Sequence, residues 1–120
     1  DFEIDFYERL IKNNPDYVEA LIPLAEAYTQ KGRIHDGLEI DKRLSRLLED
    51  DPVVHYNLAC SYALVGEKDA ALASLRKAVD LGYDDWKHLL KDPDLKSLHG
   101  DPAFKALLRD FTGTSNSPEG

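Results

Sequence analysis

Methionine is absent from this chain of 120 residues, and cysteine occurs once, at Cys60. A lone cysteine excludes an intramolecular disulfide and suits a reducing compartment, so a cytoplasmic location is expected. Without methionine the chain reads as one that has lost its initiator or as a segment of a longer protein. Basic residues are outnumbered: 15 Lys and Arg face 23 Asp and Glu, a net charge of −8. No cluster of Lys and Arg is present, so neither nucleic acid nor an anionic membrane surface is an expected partner. No apolar run approaches the roughly 20 residues of a membrane-spanning helix. Asp1–Glu8 carries four acids where a secretory signal carries bases. Catalytic signatures are missing too: there is no glycine-rich phosphate loop, H-E-x-x-H pair or nucleophile elbow. His35, His55, His88 and His99 are never three or four residues apart, so no helix face offers a histidine pair to a metal. Neither an enzyme, a cofactor nor a metal centre is expected.

What is present is an internal repeat. Residues 18–48 laid on 52–82, an offset of 34, give six identities: Leu24/Leu58, Ala25/Ala59, Tyr28/Tyr62, Gly32/Gly66, Leu38/Leu72 and Leu47/Leu81. Four of these form one pattern, L-A-x-x-Y-x-x-x-G. Its first three members share a helix face, and its glycine stands where a helix ends in a left-handed residue. A second apolar stripe comes after each glycine, with small residues at Gly37 and Ala71 that let two helix backbones approach. The unit is a helix, a tight turn and an antiparallel helix. One such hairpin cannot cover its own stripe, so hairpins stack.

These residues resemble the tetratricopeptide repeat, a 34-residue helical hairpin whose first helix reads W-x-x-L-G-x-x-Y before a turn glycine. Two copies are present, at 18–51 and 52–85. The family tryptophan is replaced by Leu21 and His55, and the second-helix aromatic by Asp41 and Leu75. The resemblance implies an all-α, right-handed stack of antiparallel hairpins with about six or seven helices. It also implies a single domain over 1–112, in the manner of a short bacterial array. Residues 1–17 are then the second helix of a half-repeat, with Tyr7, Leu10 and Pro15 at family positions. Residues 86–112 form an Asp-Pro-rich closing cap, built on Trp86, Leu89, Leu90, Leu95, Leu98, Phe104, Leu107, Leu108 and Phe111. Residues 113–120 are expected to be a disordered tail. Asn14-Pro15, Asp51-Pro52, Asp92-Pro93 and Asp101-Pro102 each read as an N-cap followed by proline at the first helical position. Pro23 falls inside a helix, where it removes the bond to the Glu19 carbonyl and predicts a kink.

Three polar residues fall at packing positions. His55 is expected to be part-buried and hydrogen-bonded. Asp41 needs a partner if buried, and His55 on the next helix is the expected one. Cys60 has no basic residue within four positions to activate it and reads as a small core or groove residue.

The resemblance also implies where function resides: first-helix residues line a concave face. Carried over, these are Glu19, Ile22, Pro23, Glu26, Thr29 and Gln30, then Val53, Tyr56, Asn57, Cys60, Ala63 and Leu64. The spacing agrees, since Glu19, Ile22, Glu26 and Thr29 lie opposite Leu21, Leu24 and Tyr28, and Val53, Tyr56, Cys60 and Leu64 form the matching stripe. That second stripe is apolar where a lone amphipathic helix is polar, which is the character of a peptide site. A protein partner with apolar anchors and a basic residue is expected. Tyr56, Val53 and Leu64 would seat the anchors, Glu19 and Glu26 would attract the base, and Asn57 would bond the peptide backbone. The chaperone-tail clamp of the family needs lysine and asparagine where this chain has Ile22 and Glu26. That specificity is rejected despite Asn57, Lys87 and Lys91. The alternative is self-association, or a targeting segment of a larger protein. Phe2 and Phe6 face away from the next repeat and predict a homodimer surface or a surface covered by upstream residues.

Overall fold

A computed structural model describes residues 1–112, the side chain of Thr112 excepted. The expected tail at 113–120 lies outside the described residues. Among the described residues seven α-helices run in order: α1 (Phe2–Asn13), α2 (Val18–Gln30), α3 (Ile34–Leu47), α4 (Pro52–Leu64), α5 (Lys68–Asp80), α6 (Trp86–Lys91) and α7 (Pro102–Thr112). A 3-10 helix, Pro93–Leu98, sits between α6 and α7. Within the same residues there is no strand, and no helix is long and apolar enough to cross a membrane. Each helix packs on the next from α1 to α5, giving an all-α stack of hairpins 53 Å long and 25 × 21 Å across.

The turns are set by local chemistry. Gly32, Gly66 and Gly82 have φ of 80°, 87° and 112°, values that an L side chain resists. After α2 the Arg33 N–H donates to the Tyr28 carbonyl and the Gly32 N–H to the Thr29 carbonyl, the paired closure of a Schellman end. Glu67 to Tyr62 and Tyr83 to Ala78 repeat it. Asp51, Asp92 and Asp101 cap the helices that begin at Pro52, Pro93 and Pro102. Asn14-Pro15 does not start a helix. The chain turns after α1, and α2 begins at Val18 with no side-chain cap. Helix α2 continues through Pro23.

Two cores form. The first joins α1 to α4 through Ile4, Leu21, Leu24, Leu44 and Val54, with Tyr7 and Ile11 packed against it. The second joins α4 and α5 to the C-terminal segment through Ala59, Leu75, Leu95, Leu98, Phe104 and Leu107. Leu90 was expected to join it but is 51% exposed, because α6 turns only its Leu89 face inward. Gly37 marks the closest approach of α2 and α3, where a Cβ would stand 2.8 Å from Thr29 Oγ1. Ala71 is fully buried at the equivalent place.

Candidate functional site

The inner helices α2 and α4, with α3 behind them and the start of the cap at one end, enclose a cavity of about 520 Å³. Nine of the twelve expected groove residues line it, Ile22, Glu26, Thr29, Gln30, Val53, Tyr56, Asn57, Cys60 and Leu64, whereas Pro23 and Ala63 do not. Nor does Glu19, because it lies one turn before Ile22 and faces solvent at the start of α2. Ile22 and Val53 are about half exposed, at 49% and 53%, and with Leu64 they make an accessible apolar rim.

Tyr56 departs from its expected role. It is only 4% exposed, stacks on Tyr83 at 4.3 Å, and gives its hydroxyl proton to Asp92 Oδ2 at 2.6 Å. Burial and that bond push its phenol well above the usual range. Its ring is a wall of the second core, not a free anchor. Cys60 is equally buried, with Sγ 3.6 Å from Asp92 Oδ2. Burial, then the nearby carboxylates, push the Cys60 thiol up. The burial of Cys60 agrees with a small core or groove residue, and the cause of the Tyr56 departure is the cap. The 3-10 helix folds back against α4 and covers the stretch that the repeat pattern leaves open.

The cap also brings in chemistry that the sequence reading did not assign to the groove. His88, Asp92 and Asp94 line the cavity, whereas Lys87 and Lys91 do not. Asp92 is 7% exposed, and its Oδ1 accepts the Asp94 N–H at 3.0 Å. His88 Nε2 lies 3.3 Å from Asp92 Oδ2. Desolvation, then the charge of Asp92, raise the Asp94 carboxyl. Glu26, Asp41, Asp51, Asp92 and Asp94 all face the cavity, and among the described residues no Lys or Arg lines it. The available signal was the His88–Asp92 spacing of four, with Asp92 just past the end of α6.

The pairing of Asp41 with His55 is overturned. Asp41 accepts from Ser61 Oγ at 2.5 Å, while His55 bonds the Glu49 carbonyl at 2.8 Å. His55 stands six residues earlier on α4 than Ser61, too far along the axis to meet the same carboxylate. His55 is otherwise as expected, 8% exposed and hydrogen-bonded. Phe2 and Phe6 are 82% and 45% exposed on the outer side of α1.

Residues 53–81 match the tetratricopeptide repeat family, and the stack of hairpins is the fold of that repeat. Such repeats generally mediate protein–protein association. A protein of Arabidopsis thaliana, chloroplastic by its name, is 32% identical over 90 residues, 70% of this chain and 26% of that protein. The chain therefore spans about a quarter of the length of this relative. No solved structure matches the chain significantly.

Proposed function

We propose that this tetratricopeptide-repeat chain is a non-catalytic adaptor module that binds a partner peptide in the cavity between α2 and α4. The observation that carries the reading is the make-up of the cavity wall. Exposed Ile22 and Val53 adjoin five acidic side chains with no Lys or Arg among the described lining residues. Such a wall favours a segment with apolar anchors and at least one Lys or Arg. Asn57, exposed on the same face, can donate to and accept from a peptide backbone. Charge complementarity acts chiefly on the association rate and on register, so binding should weaken with salt.

The test is selection from a random peptide library on the intact chain, followed by titration of the winners. Val53→Asp should cost about 1–2 kcal/mol, and Glu26→Lys should slow association. Acidic winners, or winners indifferent to both changes, would place partner binding elsewhere. The reducing environment that suits Cys60 is compatible with a cytoplasmic location. The word chloroplastic in the relative's name belongs to that protein.

Self-association is the second reading, favoured by Phe2 and Phe6 on the open side of α1. Sedimentation of the chain and of its Phe2→Ser/Phe6→Ser variant separates the cases. A dimer lost on substitution supports this reading, and an unchanged monomer removes it.

A further inference from the structure

We propose that Cys60, His88, Asp92 and Asp94 form a binding site for a divalent transition-metal ion of the zinc type, at the floor of the cavity where α4 meets the cap. Ligand atoms of Cys60, Asp92 and Asp94 all lie within 4.8 Å of one another. His88 stands outside that group of three, with Nε2 3.3 Å from Asp92 Oδ2, and its exposed side chain would turn in as a fourth donor. A tetrahedral zinc ion with bonds of about 2.0–2.3 Å needs neighbouring donors roughly 3.3–3.8 Å apart. The Cys60 Sγ to Asp92 Oδ2 distance of 3.6 Å and the His88 to Asp92 distance of 3.3 Å already meet that spacing.

The donor set also selects the ion. A thiolate and an imidazole suit zinc and its neighbours, whereas magnesium and calcium take oxygen donors. Asp92 is fixed in place: the Asp94 N–H donates to its Oδ1 and Tyr56 to its Oδ2, and Tyr56 is itself stacked on Tyr83. A hydrogen bond of this kind orients a carboxylate that binds metal. The charge balance points the same way. Asp92 is buried beside Asp94, and among the residues lining the cavity only His88 could supply positive charge. A bound cation would compensate the two carboxylates. His88 is 57% exposed at the mouth, which leaves the ion a path from solvent.

On binding, Cys60 releases its thiol proton to solvent as the sulfur–metal bond forms, and His88 binds as neutral imidazole. Affinity should therefore fall as pH falls. The site does not depend on the peptide reading, because metal is titrated into the chain alone.

The experiment is cobalt(II) titration of the intact chain, followed by displacement with zinc. A thiolate-to-cobalt charge-transfer band with tetrahedral visible bands is expected. Zinc should bleach both, and the charge-transfer band should be missing from Cys60→Ser. His88→Ala alters an exposed side chain and Asp94→Asn a part-buried one, so both should fold, as circular dichroism would verify. Each should weaken zinc by at least the roughly 10–100-fold that loss of an outer partner costs. A folded wild-type chain without the band overturns the proposal. So does a band that survives Cys60→Ser, or zinc affinity unchanged in both His88→Ala and Asp94→Asn.

Discussion

Asp41 makes the stability of this fold depend on pH in a direction opposite to that of most carboxylates. It sits on α3 against α4, 6% exposed, with Ser61 Oγ donating to it. Burial pushes its carboxyl up from 3.8 to about 6, and the Ser61 bond only partly offsets this. Between those values the folded chain holds a proton that the unfolded chain has released. Unfolding free energy therefore falls as pH rises through this window. The Asp41 contribution is fully present below about pH 4 and lost above about pH 6. At about 1.4 kcal/mol per pH unit, a shift of this size removes about 3 kcal/mol by pH 7. Asp41→Asn keeps the shape and an oxygen for Ser61 but cannot ionise. Its new amide N–H₂ costs about 1–3 kcal/mol if unpaired, at every pH. The quantity to read is therefore the difference in stability between variant and wild type. It should rise by about 3 kcal/mol in favour of the variant from pH 4 to pH 7. Urea unfolding of both chains at unit pH steps measures it. A difference that stays flat across the window would show that Asp41 ionises in the folded chain as it does unfolded, and would refute the reasoning.

The same contact predicts that Ser61→Ala, which removes the bond favouring the charged form, destabilises more at pH 7 than at pH 4; paired urea titrations check it. Gly37→Ala should cost about 1–3 kcal/mol, because its Cβ meets Thr29 Oγ1. Thermal melts in a Thr29→Ala background should show most of that cost gone. Gly66→Ala meets no atom but must adopt a φ of 87°, so melting should reveal a loss of about 1–2 kcal/mol from backbone strain alone. Tyr56→Phe removes the hydroxyl that donates to buried Asp92 and should cost about 1–3 kcal/mol in chemical denaturation, with the fold retained.

The parts of the fold that were legible in the sequence are those decided within a few residues. A glycine four positions after a tyrosine marks a left-handed helix end wherever it falls, and Gly32 and Gly66 behave alike. Asp-Pro pairs mark helix starts because one carboxylate satisfies two otherwise free N–H groups, as Asp51 does for Val53 and Val54. Asn14-Pro15 has the same look but closes a turn, because α2 starts three residues after the proline. Contacts between distant segments were not legible. Asp41 found Ser61 and not His55 because the crossing of α3 and α4 decides which turn of α4 it meets. The apolar stripe Tyr56–Cys60 admitted two meanings, an open ligand surface or a second packing neighbour. Only the path of residues 86–98 chooses between them, and no local pattern encodes that path.

That choice has a chemical consequence. Helices α2 and α4 occupy equivalent places in their repeats, yet Glu26 on α2 remains exposed while Cys60 on α4 is buried. The difference lies in the segment after each hairpin. After α3 comes another hairpin, which leaves the inner face of α2 open; after α5 comes the cap, whose 3-10 helix lies against α4. To cover apolar α4 it inserts Leu95 and Leu98 into the second core. Asp92 must then stand at the edge of that contact, because the 3-10 helix needs a capping acceptor at its start. Placing that cap over Tyr56 and Cys60 buries a carboxylate whose side-chain neighbours are a hydroxyl, a thiol and an imidazole. The segment that closes the core thus turns an apolar trough into an acidic one. A Lys or Arg of a partner, or a metal ion, would supply the positive charge that the cavity wall lacks.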